Sequence, residues 1–241
     1  VSEDKVSRRD FRELWPLGFA LPIALLVAAF HLGVRTFNSD DLPWLRAVGK
    51  GLWVGFSTPD PYGHFRPTFF FWLWFLDALG LSSPGLQGGV GLLLQGATLF
   101  VAFSLFRTWL SPRGAAVGTA FVALHPIRHD AWFWGVAQID ALCLLLVTAG
   151  LLLAARALAR PHSVALLLGT AAVAFAAFLA KETALALPLV AALLPVRANR
   201  AARLRVGAAC AAGMALALVW SVSVLHGIGG HNALMLAGLD F

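Results

Sequence analysis

Asp40 and Asp41 stand side by side in TFNSDDLPW, directly after an apolar run of about twenty residues, the length of a membrane span. A solvated loop accounts easily for one acid there; an adjacent pair leans toward function. A hard cation takes roughly six to eight oxygen ligands. This stretch does not supply them, so no metal site is assigned to it. A second polar group lies in LHPIRHDAWFWGVAQID, Leu124 to Asp140. Pro126 should end a helix and leave His125, Arg128, His129 and Asp130 at a surface. Asp140 would then fall inside the next apolar segment. An acid at that depth is costly and therefore a functional candidate, unless the segment starts a few residues later and the acid is interfacial. The third group is FLAKETALALPL, Phe178 to Leu189. Its Lys181–Glu182 pair is either a plain turn between helices or a cation placed to hold an anionic headgroup. Arg66 is a second such cation, and a guanidinium can grip a phosphate with two parallel charge-assisted bonds.

Other chemistries lack their residues. There is no P-loop, dinucleotide glycine fingerprint, GxSxG or HExxH. His125 and His129 are four apart, but Pro126 breaks the helix that would align them. Cys143 and Cys210 lie within apolar runs and read as packing residues.

The elements that must position these groups are hydrophobic. Of 241 residues, 59% are hydrophobic and 12% charged, about half the charge of a soluble domain. Mean hydropathy is +0.79. The composition predicts an all-α, polytopic membrane helical bundle. Apolar runs at 14–34, 86–106, 136–158, 163–180 and 206–225 are long enough to cross, and shorter ones lie at 114–126 and 183–196.

The segment 67–81, PTFFFWLWFLDALGL, is predicted to lie as a helix in the membrane interface. Pro67 would open it, and Trp72 and Trp74 would sit at headgroup level. With 67–81 on the surface and the two short runs crossing, the 18 basic residues sort unevenly. Lys5, Arg8, Arg9, Arg12, Arg107, Arg113, Arg156, Arg160, Arg197, Arg200, Arg203 and Arg205 fall on one side. Only Arg35, Arg46, Lys50, Arg66, Arg128 and Lys181 fall on the other. The positive-inside rule then predicts seven spans, a cytoplasmic N-terminus, an external C-terminus and one long external loop over 35–85. The net charge of +6 is thus a topology signal, and nucleic acid is not an expected partner. All the acids outside the N-terminal tail, and five of the seven histidines, collect on the outer side.

Four stretches in order, SDDLPW, HFRPTFFFWLWFLDALGL, ALHPIRHDAWFWGVAQIDALCLLL and FLAKETALALPL, resemble the GT-C glycosyltransferases. The likeness is to the protein O-mannosyltransferase-like branch, including the transmembrane mannosyltransferases that carry tetratricopeptide repeats. It spans most of residues 10–195.

The resemblance implies a single transmembrane domain over 1–241 that lacks the C-terminal part of the family fold. It implies transfer of a mannose-like sugar from a polyprenyl-phosphate donor to a hydroxyl of a protein or glycolipid, at the outer face of the inner (plasma) membrane. It assigns the catalytic general base to Asp40 or Asp41, and the donor phosphate to Arg66, Lys181, Glu182, His129 and Asp140. Some members of the superfamily use a divalent cation, so that cofactor is admitted and none is assigned. The chain departs from the family pattern at His129 and Asp130, where an acid follows the His-Pro, and at Gln138, where an arginine is expected. The competing expectation is a non-catalytic membrane subunit or scaffold that binds lipid phosphate. A transporter ranks below both, because the polar groups gather at one face and no repeated halves are visible.

Overall fold

The structure is a computed structural model and describes residues 41–124 and 138–225. The described residues form helices and connecting turns, with no strand among them. In chain order the helices are α1 (Asp41–Val48), α2 (Val54–Ser57), α3 (Pro67–Ala78), α4 (Pro84–Phe106), α5 (Pro112–Leu124), α6 (Gln138–Ala159) and α7 (Val164–Ala180). A 3-10 turn (Glu182–Ala186), α8 (Leu187–Leu193) and α9 (Arg200–Leu225) follow.

Among the described residues three helices are long and apolar enough to cross a membrane: α4 with 23 residues, α6 with 22 and α9 with 26. Large apolar side chains such as Leu93, Phe100, Leu216 and Val219 remain exposed along α4 and α9. Water does not favour such faces, and lipid does. The three helices point to a membrane protein. The run at 163–180 becomes α7, whose 17 residues rise roughly 26 Å, a little under a hydrocarbon core of about 30 Å. The described part of the run at 114–126 makes up all of the 13-residue α5 but its first two positions, and residues 125 and 126 lie outside the described residues. The run at 183–196 is not one helix: a 3-10 turn gives way to the seven residues of α8, with Pro188 in its first turn. The run at 14–34 lies outside the described residues.

The helix expected over 67–81 is present as α3. Pro67 takes the first helical position after Arg66, where its missing N–H costs nothing. The helix stops at Ala78 rather than Leu81 because Gly80 adopts φ +72°. The amides of Gly80 and Leu81 then return to the carbonyls of Asp77 and Leu76, a Schellman ending. Phe69, Phe70, Leu73 and Leu76 are buried, so α3 packs on the bundle, and its Phe71 and Phe75 face outward. The Trp72 indole donates to the buried Gln138 amide at 3.1 Å, which gives its N–H a partner within the bundle.

Small residues let α7 and α9 come close. Ala174, Cys210 and Ala217 are fully buried in one shared cluster there. A Cβ on Gly213 would lie 2.1 Å from the Ala171 carbonyl oxygen. Dense backbone approach of this kind is the main attraction between helices in lipid. Gly213→Ala is expected to destabilise the bundle by about 1–3 kcal/mol through overpacking, read as a fall in thermal midpoint in lipid nanodiscs. Gly207→Ala on the same helix meets only the Ala192 Cβ, at 3.7 Å, and should be neutral or slightly stabilising.

The two ends of the bundle differ chemically. At one end Arg203 donates to the carbonyls of Ala192, Leu194 and Val196, and Arg205 lies 3.5 Å from His162. At the opposite end α6 begins, α7 finishes and α3 lies alongside. Acids and cations meet there.

Candidate functional site

The site starts from a loop, Thr58 to Arg66, that turns on itself. The Asp60 Oδ1 accepts from the backbone N–H of Tyr62 at 2.8 Å and of His64 at 2.9 Å. Gly63 supplies φ +79° for the tight bend. The loop thereby presents His64 and Arg66 at the head of α3, and Pro67 locks the exit. Across from it, α7 ends at Ala180 and Lys181 runs extended. Glu182, the next residue, therefore projects toward the loop.

Arg66 and Glu182, 116 positions apart, form a two-pronged pair. Arg66 donates from Nε to Oε1 at 3.3 Å and from Nη2 to Oε2 at 3.2 Å. The third guanidinium nitrogen, Nη1, lies 3.6 Å from Asp60 Oδ2. His64 Nδ1 is 3.5 Å from Glu182 Oε1. One residue back, the Lys181 ammonium donates to Asp140 Oδ1. Two ion pairs thus sit on adjacent residues and tie together the loop, the start of α6 and the end of α7.

Four of the sequence-predicted residues, Arg66, Asp140, Lys181 and Glu182, meet here, and each cation already has a carboxylate partner. Asp140 lies in the first turn of α6 (Gln138–Ala159) with a half-exposed side chain, and the expected start at 136 lies outside the described residues. Asp41 occupies the first turn of α1 and is buried. Helix α1 rests on α3 through Trp44, whose ring meets Phe69 edge-on at 4.9 Å. Asp40 and His129 lie outside the described residues. Among the described residues no three His, Cys, Asp or Glu side chains are grouped to hold a metal ion.

Asp60 and His64 belong to this end but were not singled out from sequence, and Gln138 was noted only as a departure from an expected arginine. The Gln138 side chain is wholly buried. Its Oε1 accepts from Trp72, and its Nε2 donates to the Gln87 carbonyl at 2.8 Å. This amide therefore staples α3 and α4 to α6. For Asp60 and His64 the readable signal was spacing: an acid, a histidine and an arginine within seven residues, punctuated by Pro59, Pro61, Gly63 and Pro67.

The two carboxyls beside Arg66 are perturbed in opposite directions. Burial pushes Asp60 above its ordinary value, against the lowering effect of the His64 and Tyr62 amides and the Arg66 charge. Burial also acts to raise Glu182, but the Arg66 hydrogen bonds and charge, helped by His64, outweigh it and hold Glu182 below its ordinary value.

Their linkage to stability follows. A lowered carboxyl contributes stability that is present above its unfolded value and lost as pH falls through its folded one. Glu182 therefore supports the fold at neutral pH and stops doing so in the window below its ordinary 4.5. Asp60 acts the other way. Its contribution is complete below its ordinary 3.8 and is lost as pH rises through its raised folded value. Glu182→Gln should flatten the acid limb of thermal stability between about pH 5 and about pH 3, and Asp60→Asn should leave that limb in place. Thermal midpoints of the three proteins across that range check both statements.

Comparison with protein families, curated proteins and solved structures found no match to this chain.

Proposed function

We propose that this chain is a membrane glycosyltransferase of the GT-C type that takes a mannose-like sugar from a polyprenyl-phosphate donor. The observation that carries this reading is the convergence of three separated stretches, HFRP, QID and AKE, into one polar cluster at one end of an apolar bundle. A lipid-linked donor needs such a layout: apolar faces for the prenyl chain, and cations at the interface for the phosphate it leaves on. In this reading the bundle crosses the inner membrane seven times, with the N-terminus cytoplasmic and the cluster outward. The acceptor is a hydroxyl of a protein or glycolipid.

The carboxylates do not exclude phosphate from the cluster. Glu182 engages the Nε and Nη2 side of Arg66, and Nη1 stands beyond hydrogen-bond reach of Asp60. Lys181 uses one of its three donors on Asp140. The acids hold both cations in place while donors remain for an oxyanion. Asp40 or Asp41 acts as general base, taking the acceptor proton as the hydroxyl attacks the anomeric carbon.

One observation favours a second reading, a non-catalytic subunit that only binds lipid phosphate. Both cations are matched by carboxylates, as in a structural network. The deciding experiment is polyprenyl-phosphate binding to the whole chain, to Arg66→Ala and to Lys181→Ala, followed by sugar transfer from a polyprenyl-phosphate mannose donor. Binding weakened by both substitutions, together with transfer, supports the enzyme. Binding without transfer supports the subunit. Equal binding by all three proteins removes the donor site and both readings with it.

A further inference from the structure

Among the described residues, the end of the bundle away from the ion-pair cluster carries arginines and no acid. The five described acids, Asp41, Asp60, Asp77, Asp140 and Glu182, belong to α1, the loop, α3, the start of α6 and the turn after α7. Every ion pair among the described residues lies at the cluster. At the other end Arg156 and Arg160 close α6, and Arg200 and Arg205 stand in the first two turns of α9. Helices α7 and α9 both begin here, so the positive ends of two helix dipoles add to the arginines.

Arg205 meets no carboxylate among the described residues. Its Nη1 lies 3.5 Å from Nδ1 of His162, the residue before Ser163, which caps α7. Both side chains are exposed. The contact is weak whichever state the imidazole takes. A protonated ring repels the guanidinium, and a neutral one accepts at a length beyond the usual limit of roughly 3.2 Å. An oxyanion that accepts from both groups replaces this poor contact with two charge-assisted bonds.

The surface beside the pair is apolar. Val164 and Leu168 on α7 and Leu204 on α9 are 66%, 65% and 63% exposed. On α9 the face that carries Arg205 continues, at whole-turn spacing, through Ala212, Leu216 and Val219, all exposed. From Arg205 to Leu216 the helix rises roughly 16 Å, close to half of a hydrocarbon core about 30 Å thick. A free phosphate ion makes no use of such a track. A phospholipid uses the cations and the track together.

We propose that the α7–α9 seam at the basic end binds one anionic phospholipid, with its phosphate bridging Arg205 and His162 and an acyl chain lying along α9 toward Leu216. Arg160 and Arg200, both exposed and near in sequence to the pair, favour a headgroup of net negative charge over a zwitterionic one, whose ammonium they repel. The site is independent of the glycosyltransferase reading and requires only that the bundle lie in a membrane.

The test is native mass spectrometry of the full chain in neutral detergent, titrated with phosphatidylglycerol or phosphatidylcholine. The expected result is one phosphatidylglycerol retained per chain, at least about tenfold more tightly than phosphatidylcholine. Arg205→Gln should weaken phosphatidylglycerol binding about tenfold, and His162→Ala about threefold. Arg205→Lys keeps the charge and should lose less than Arg205→Gln. Thermal midpoints verify that the variants fold. Arg113→Gln removes the same charge from α5 at the same end and should leave affinity within about twofold.

A loss in Arg113→Gln as large as that in Arg205→Gln would mean diffuse attraction in place of a site, and would overturn the proposal. Equal affinity for the two lipids, or equal binding by Arg205→Gln and the parent, would do the same. Inorganic phosphate at millimolar concentration should leave the lipid bound. Full displacement would make the pair a free-anion site and overturn the lipid assignment.

Discussion

Arg66→Ala is expected to lower polyprenyl-phosphate binding and sugar transfer by about 10²–10³-fold, the usual loss when one fixed electrostatic stabiliser is removed. The reason lies in what surrounds it. Among the described residues Arg66 pairs its guanidinium with both Glu182 and Asp60. Without it the two carboxylates face the donor site with Lys181 and the His64 ring beside them, and a phosphate arriving there loses its strongest attraction. The fold should survive. Asp60, already pushed up by burial, can take a proton in place of its cation. Arg66→Lys keeps the charge but loses the planar fork that grips Glu182 in two places, so it should recover only part of the affinity. Binding isotherms for the three proteins, with thermal midpoints beside them, check this. A loss of binding in Arg66→Ala that merely tracks a fall in midpoint would make Arg66 a structural residue.

Asp40→Asn and Asp41→Asn carry the second large expected effect. A positioned general base contributes about 10²–10⁴-fold, so one of the two substitutions should remove that much transfer, through kcat rather than KM. Asparagine keeps the size and shape of the side chain and cannot take the proton. Asp41 has a structural role to compete with this one. It is buried in the first turn of α1, where a negative charge favours the helix dipole by about 0.3–1 kcal/mol. If that is its whole role, Asp41→Asn will lower the thermal midpoint and leave kcat within a few-fold of the parent. Asp40→Asn will then carry the catalytic loss. If neither substitution lowers kcat, the base is not in this pair. A buried, perturbed carboxyl such as Asp60 becomes the next residue to replace.

Much of the helical plan was legible in sequence because its signal is local. A run of apolar residues long enough to span needs no partner to be recognised. The starts of α4 and α7 and the ends of α4, α6 and α7 fall within two residues of expectation. Pro67 announced the first turn of α3 for the same reason: proline's fixed φ and missing N–H act on its own helix. Contacts made at a distance were not legible. The Trp72 indole finds its acceptor on Gln138, 66 positions away, which no local pattern announces. The run at 183–196 looked like one segment, but a 3-10 turn and Pro188 divide it.

By itself the sequence determined that the chain is helical and apolar, that its basic residues favour one end, and that Arg66, Asp140, Lys181 and Glu182 are its conspicuous charges. It also determined the turn over Asp60 to Arg66, because aspartate, glycine and two prolines dictate that bend within a few bonds. Only the tertiary structure decided who meets whom. The Arg66–Glu182 fork and the Lys181–Asp140 pair join residues 116 and 41 positions apart, a choice set by how α3, α6 and α7 pack and not by any local rule. The burial of Trp44 Nε1 and of Asp60 Oδ2 without a hydrogen bond belongs to the same class. Whether a buried N–H or oxygen finds a hydrogen-bond partner depends on every element packed around it, so no property of either residue in the chain could have shown it.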